Sequence, residues 1–201
     1  MKKIGCLGFG LVGLLVLGFG VFIYVKNFYN NTVIIDQDVQ AQWGNVESSY
    51  QRRSDLIPNI VNTAKGYADF ERATLTEVIE ARSKATQVTV DPTNISPEQI
   101  AAFSQAQSGV SSALSRLLVT VERYPDLKAN ENFKELINEL ERTENRINVE
   151  RNRFNEKVGV YNKQIVTFPN NMMAGFFDFD EKGFFKADAG AENAPEVEFN
   201  F

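Results

Sequence analysis

The feature that most constrains this chain is an apolar run near its N-terminus. Residues 4–25 contain no charged side chain and are rich in Leu, Val, Phe and Gly. As a helix they would be about 33 Å long, enough to cross a hydrocarbon core of about 30 Å. The run is longer than the apolar region of a typical signal peptide, and no small-x-small cleavage site follows it. We therefore expect a retained transmembrane helix that contacts the lipid bilayer through residues 4–25.

Charges around this run favour one orientation. Two lysines precede it and only Lys26 follows closely, so the positive-inside rule favours a cytoplasmic N-terminus, with the rest of the chain outside. Cys6 lies at the start of the apolar run rather than after one, which argues against a lipoprotein. Cys6, Gly13 and Gly20 recur every seven residues, a spacing that allows another helix to approach closely. A homo-oligomer is compatible with this pattern.

The remainder of the chain is acidic. All 26 Asp and Glu residues lie at Asp36 or later, and three of the 21 Lys and Arg residues precede it, so this part carries a net charge of about −8. That sign argues against sequence-independent binding to nucleic acid or to anionic lipid headgroups.

Catalytic residue types are scarce. The chain has no histidine, which excludes Ser-His-Asp and Cys-His pairs and histidine-containing zinc sites. One cysteine leaves the redox compartment undecided. No serine stands with a lysine in a recognisable catalytic context, and the glycines form no phosphate-binding loop. We expect no enzymatic activity, metal or cofactor, and keep a histidine-free hydrolase as a remote alternative.

Beyond residue 36, apolar residues alternate at spacings of three and four, the pattern of a helix in a bundle. The first stripe consists of Val39, Trp43, Val46, Tyr50, Ile57, Ile60, Ala64 and Tyr67. Pro58 does not change its phase, so we expect a kink there rather than an end. A break near residues 66–70, which would give two helices, is left open.

Two further helices are predicted. Ser96, Pro97 and Gln99 suit the N-cap, N1 and N3 positions of a capping box, and Pro125 ends this helix. The next helix extends over about 131–167. Since strand-like alternation is nearly absent, the sequence predicts an all-α fold: an antiparallel bundle of three to four long helices following one N-terminal transmembrane helix.

The last thirty residues change character. Five phenylalanines between positions 176 and 185 stand among acidic residues, and we expect them to pack on the bundle. For Val197, Phe199 and Phe201, packing and contact with a partner stay equally open. The predicted organisation is a basic N-terminus (1–3), a transmembrane helix (4–25), a juxtamembrane linker (26–35), a helical bundle (36–169) with a loop at 125–132, and an aromatic and acidic tail (170–201).

Four polar residues occupy seam positions where apolar side chains are expected: Arg53, Gln107, Glu144 and Arg151. An unpaired buried charge costs several kcal/mol, so these groups should meet one another or water. The favoured interpretation is that Arg53 pairs with Glu144 and fixes the register of the helices. The alternative is that the four residues line a polar groove for a ligand.

Several motifs make the chain similar to the LemA family. They are Val39-Gln-Ala-Gln-Trp43, Tyr50-Gln-Arg-Arg-Ser-Asp-Leu-Ile-Pro-Asn59, Val61-Asn-Thr-Ala-Lys-Gly-Tyr-Ala68, Glu80-Ala-Arg82, Glu122-Arg-Tyr-Pro-Asp-Leu-Lys-Ala129 with Phe133, Arg153-Phe-Asn155, Tyr161-Asn162 and Phe168-Pro169. The resemblance covers nearly the whole chain. It implies a small bacterial membrane protein with one span and a helical bundle, but no established activity. Members often carry His-Glu where Phe70-Glu71 stands here, so no role of that histidine applies.

The resemblance also implies that the protein acts together with other envelope proteins, including membrane proteases. We therefore expect a membrane-anchored interaction or scaffold protein of the bacterial cytoplasmic (inner) membrane, whose partner is another membrane or envelope protein. The alternative is a ligand-sensing or transport-accessory domain that uses a polar groove with Arg53, Glu144 and Arg151. The candidate interaction residues are Arg52, Arg53, Asp55, Leu56, Pro58, Asn59, Val197, Phe199 and Phe201.

Overall fold

The computed structural model describes residues 2–67 and 70–186, with side chains from residue 11 onward. These residues form helices and no strands, which confirms the predicted all-α fold. The helices are α1 (Lys2–Lys65), α2 (Arg72–Thr86), α3 (Pro97–Val121), α4 (Pro125–Ala129), α5 (Glu131–Val166) and α6 (Asn170–Phe176).

Helix α1 continues without interruption from the apolar N-terminus into the bundle. Its 64 residues correspond to about 96 Å. Among the described residues, its N-terminal part is the one stretch that is long and apolar enough to span a membrane. Segment 26–35, expected to be a linker, is helical instead. Phe28 and Thr32 are buried there, because this face of α1 already packs against the bundle.

The helix boundaries refine the predicted bundle. α1 passes Pro58 without ending, and α2 begins at Arg72, so the break that was left open near residues 66–70 exists. The region 125–132, expected to be a loop, contains the short helix α4, which Pro125 begins because proline suits the first helical turn. At the start of α3, the Ser96 hydroxyl accepts a hydrogen bond from the Gln99 N–H, as predicted. The reciprocal half of the capping box does not form, since Gln99 Oε1 has no hydrogen-bond partner.

Helices α1, α2, α3 and α5 run alternately away from and toward the apolar end of α1. α5 packs antiparallel along α1, and α2 packs antiparallel along α3. Helix α2 is short, however, and flanks only the part of α1 near its C-terminus, where Arg82 Nε donates to the Ser54 carbonyl at 2.8 Å. Nearer the apolar end, the irregular segment 179–186 completes the bundle.

The hydrophobic core consists of two clusters. The anchor-side core surrounds Trp43, whose ring lies 5.2 Å from that of Phe103 and 5.4 Å from that of Phe154. The distal core contains residues of α1, α2, α3, α4 and α5, such as Ile60 and Leu117. Segment 179–186 contributes Phe185 to the anchor-side core, as expected for this phenylalanine group, whereas Phe176 and Phe184 remain exposed.

Candidate functional site

A polar layer separates the two cores. Arg53 lies between Tyr50 of the anchor-side core and Ile57 of the distal core. In the same way, Gln107 lies between core residues of α3, and Glu144 between core residues of α5. Three helices therefore place a polar side chain at the same level of the bundle, because each interrupts its apolar stripe at the corresponding turn.

Arg53 is the centre of this layer and is only 2% exposed to solvent. Its Nη1 donates to Glu144 Oε1 at 2.8 Å and to Ser111 Oγ at 2.8 Å. Its Nη2 donates to Gln107 Oε1 at 2.6 Å, and the guanidinium lies 5.0 Å from the centre of the Tyr50 ring. The predicted pairing of Arg53 with Glu144 is therefore present, and Gln107 joins it.

Arg151, the fourth predicted member, lies further along α5. Its Nη2 donates to the Lys186 carbonyl at 2.9 Å, and its guanidinium lies 5.0 Å from the centre of the Phe185 ring. It lines the same pocket as Arg53 and Glu144 but binds segment 179–186. The structure thus connects the polar layer with the C-terminal part of the described chain.

The other motif residues lie on either side of Arg53 along α1. Arg52 is exposed and donates from Nε to Glu139 Oε1 at 3.0 Å, and exposed Asp55 accepts a hydrogen bond from Gln51. Leu56 packs against the distal core, Pro58 is half-buried and Asn59 is exposed. Val197, Phe199 and Phe201 lie outside the described residues.

A groove runs between α3 and α5, whose backbones are almost everywhere more than 8 Å apart. Three pockets of about 470, 160 and 400 Å³ follow one another along it. Neighbouring pockets share lining residues, so they lie side by side along the groove. We call it the α3–α5 groove and define it by Ser104, Ser108, Ser111, Glu144, Asn148 and Arg151.

Segment 179–186 occupies the anchor-side end of this groove, where two asparagines of α5 hold its backbone. Asn162 accepts from the Lys182 N–H at 2.9 Å and donates to the Lys182 carbonyl at 2.9 Å. Asn155 makes the same pair of bonds with Phe185, at 2.9 and 2.8 Å. Seven helical residues rise about 10.5 Å, which is close to the reach of three extended residues. The two asparagines therefore fit an extended chain.

Close backbone approach fixes the same segment against α3. Gly183 N–H donates to the Ile95 carbonyl at 3.2 Å. A Cβ on Gly183 would lie 2.6 Å from Pro97 Cα and 2.9 Å from the Ser96 carbonyl oxygen, too close for any side chain. Glycine is required here because α3 and the segment meet backbone to backbone.

A charged side chain closes the anchor-side end of the groove. Buried Lys182 lies 2.7 Å from Asp36 Oδ1, and its Nζ is 4.9 Å from the centre of the Tyr161 ring. Burial raises the pKa of the Tyr161 hydroxyl above its usual range, and the negative charges of Asp36 and Asp180 add to this effect. Tyr161 therefore stays neutral, and the cation rests on an uncharged ring.

The described side chains do not assemble a centre for metal chemistry. Over residues 11–67 and 70–186, no group of three or more Cys, Asp or Glu side chains is placed to hold a metal ion. What the groove offers instead is a row of hydroxyls, amides and a paired guanidinium, the groups that recognise polypeptide backbone or a small polar molecule.

Comparison with known proteins decides the family. The family model for the LemA family matches residues 42–199, which include the polar layer, the groove and both asparagine clamps. The chain belongs to the LemA family. The predicted resemblance is therefore confirmed, and the clamp residues Asn155 and Asn162 lie in the motifs that carried it.

The individual relatives share about a quarter of their residues with this chain. The chain is 27% identical over 173 residues to Protein LemA of Metamycoplasma hominis, covering 86% of this chain and 75% of that protein. It is 26% identical over 175 residues to Magnetosome protein MamQ 2 of Paramagnetospirillum magneticum, covering 79% of this chain. Magnetosome protein MamQ of Magnetospirillum gryphiswaldense is also 26% identical, over 174 residues and 78% of this chain. The match spans 64% of the length of either MamQ protein.

Proposed function

We propose that this LemA family chain is a membrane-anchored interaction protein of the bacterial envelope. In this proposal, the α3–α5 groove binds an extended polypeptide segment of another membrane or envelope protein. The observation that carries the proposal is the pair of asparagine clamps, because they already hold one extended segment in the groove through its backbone alone.

The part of the groove that residues 11–67 and 70–186 leave open continues this arrangement. Asn148 precedes Asn155 by seven residues, just as Asn155 precedes Asn162, and it is exposed on the wall of the groove. A chain that continues the path of segment 179–186 would bring its next backbone amide group to Asn148, one clamp interval further on. Backbone recognition of this kind tolerates many sequences, which suits a scaffold.

The shape of the groove also supports a linear partner. Its three pockets follow α3 from Pro97 to Leu118, about 30 Å of helix. A compact small molecule would fill one pocket and leave the others in water, whereas about nine extended residues span the whole length. The close approach of Gly183 to Pro97 indicates that a bound segment needs a small residue where it passes this close to α3.

Filling the groove tests the proposal. We expect Ser108→Trp to reduce at least tenfold the amount of partner that copurifies with the full chain from native membranes, because the indole occupies the space between α3 and α5. Quantitative mass spectrometry of the purified material measures the loss.

The matched control is Ser48→Trp, which replaces an exposed serine on α1 at a similar level of the bundle. It should leave recovery unchanged, and both variants should keep the helical circular dichroism of the parent. Equal recovery from the two variants would contradict binding in the groove.

A small polar ligand is the second candidate, and the middle pocket of about 160 Å³ favours it. This pocket brings Arg53, Glu144 and Arg151 within reach of one molecule, beside the hydroxyls of α3. Such a ligand would give the ligand-sensing or transport-accessory role. Native mass spectrometry of the full chain extracted from membranes distinguishes a small ligand from a polypeptide partner. A small molecule bound one to one, and absent from the Arg151→Ala variant, would support the ligand.

A further inference from the structure

We propose that α6 and the turn before it form a membrane-contact surface, consisting of Phe168, Met172 and Phe176, which enters the interfacial region of the bilayer. The proposal rests on the anchoring part of the proposed function, namely that the apolar part of α1 crosses that bilayer. It does not depend on the groove, because no residue of α6 lines the three pockets of the groove.

The position of α6 follows from its contacts with α1. The Tyr24 hydroxyl, one residue before the end of the apolar run, donates to Asn170 Oδ1 at the start of α6. One turn later, the Tyr29 ring lies 5.1 Å from the ring of Phe177 and 5.8 Å from that of Phe179. Helix α6 therefore lies at the level where α1 would leave the hydrocarbon core. Because α1 is continuous there, no linker separates the bundle from the bilayer surface.

The side chains on the outer surface of α6 are large, apolar and exposed. Phe168, Met172 and Phe176 are 76%, 64% and 77% exposed, and they recur every four residues. No charged residue occurs between Lys163 and Asp178, in a domain that is otherwise rich in charge. Exposed apolar clusters mark interaction sites. Phenylalanine beside an interfacial tyrosine is the composition that favours the boundary between headgroups and acyl chains.

Lipid is the occupant that this geometry favours over a second protein. The contacts of Tyr24 with Asn170 and of Tyr29 with Phe177 place the surface beside exposed apolar side chains of α1, so it adjoins the part of the span that lipid would cover. Asn170 and the adjacent backbone supply hydrogen-bonding groups at the same level, where water and headgroups remain available. Because the side chains insert rather than bind a charge, contact with zwitterionic lipid suffices.

Depth measurements with spin labels test this surface in the full chain. Cys6→Ser removes the chain's single cysteine, and nitroxides are then placed singly at Leu17→Cys in the span, Met172→Cys on α6 and Val119→Cys at the distal end of α3. Val119 is 72% exposed, so it matches Met172 in exposure. Power saturation in phosphatidylcholine liposomes gives the accessibility of each label to oxygen, which concentrates in lipid, relative to that of a water-soluble nickel chelate.

We expect the oxygen-to-nickel accessibility ratio at Met172 to exceed that at Val119 severalfold and to approach that at Leu17. A ratio at Met172 equal to that at Val119, with Leu17 in lipid, would overturn the membrane-contact surface while leaving the anchor intact. A water-like Leu17 would overturn anchoring itself. Low accessibility to both reagents at Met172, or dipolar broadening between labels, would assign the surface to a protein or a second copy and would also overturn the proposal.

Discussion

Arg53 is the residue on which the bundle's register depends. A buried guanidinium is tolerated only when its N–H groups find acceptors, and here Glu144, Gln107 and Ser111 supply them from two other helices. Sliding any of the three helices by one turn would put an apolar residue opposite Arg53. The polar layer therefore selects one alignment of α1, α3 and α5. It lowers stability relative to a single apolar core that continued through this level of the bundle.

Removing the centre of this layer should destabilise the bundle strongly. We expect Arg53→Ala to lower the free energy of unfolding by about 3 kcal/mol, because Gln107 and the partly exposed Glu144 lose their buried donor. Urea denaturation of the full chain in detergent, followed by circular dichroism, measures it. Arg52→Ala is the matched control: its ion pair with Glu139 is exposed, so the loss should stay under about 1 kcal/mol. Equal losses would contradict the role of the layer.

The asparagine clamps make a second prediction about single residues. Asn162→Ala removes two hydrogen bonds to the Lys182 backbone, about 2 kcal/mol of local stabilisation. Amide hydrogen exchange in residues 182–186 should then accelerate about thirtyfold. Asn148→Ala, on the same face of α5 but next to the open part of the groove, should leave this exchange unchanged. Protection that survives Asn162→Ala would contradict this role of the clamp and show that the other contacts of the segment hold it.

Among the elements, the long helices were predictable because each buries one stripe. Val39, Trp43, Val46 and Ile57 repeat at helical spacing and are buried as predicted. Residues 26–35 were not: their asparagines resemble a turn, but burial of Phe28 and Thr32 by tertiary packing keeps them helical.

The groove and its clamps carry only a weak sequence signal. Asn148, Asn155 and Asn162 recur every seven residues, but a heptad of asparagines also occurs on solvated helix faces. Segment 179–186 has no periodicity that would indicate an extended chain, and its position depends on contacts with the three helices α1, α3 and α5. The polar layer was visible, since it interrupts apolar stripes. The contacts of Arg151 could not be predicted from the sequence, because its partners lie on that irregular segment.

Segment 179–186 depends on one glycine for its contact with α3. We expect Gly183→Ala to displace the segment and to lower the free energy of unfolding by about 1 to 3 kcal/mol, because a methyl group at that position overlaps Pro97 and the Ser96 carbonyl. Gly44→Ala, inside α1 with nothing within 4 Å of the new Cβ, should instead raise it by about 0.5 to 1 kcal/mol. Thermal and urea unfolding of both variants compare the two. A neutral Gly183→Ala would mean that the segment is held elsewhere.

On the scale of the whole molecule, the continuous helix α1 sets where the groove stands. Arg53 lies 28 residues beyond the end of the apolar run, which places the polar layer about 40 Å along α1 from the end of the proposed membrane span. Helix α1 is uninterrupted between the apolar run and the level of the groove, so no linker separates them. In the proposed function, a partner segment would therefore be met at a set distance from the span, which is what a scaffold beside another membrane protein requires.

Site-specific photocrosslinking in native membranes tests the central claim, that the groove receives a segment of another protein. The full chain carries benzoylphenylalanine at position 108, inside the groove, or at position 48, on the exposed surface of α1. We predict an adduct with a separate envelope protein from position 108 and none from position 48, and its yield should fall in Asn148→Ala. Adducts from position 108 only to this chain's own residues 187–201, or equal adducts from both positions, would contradict the account.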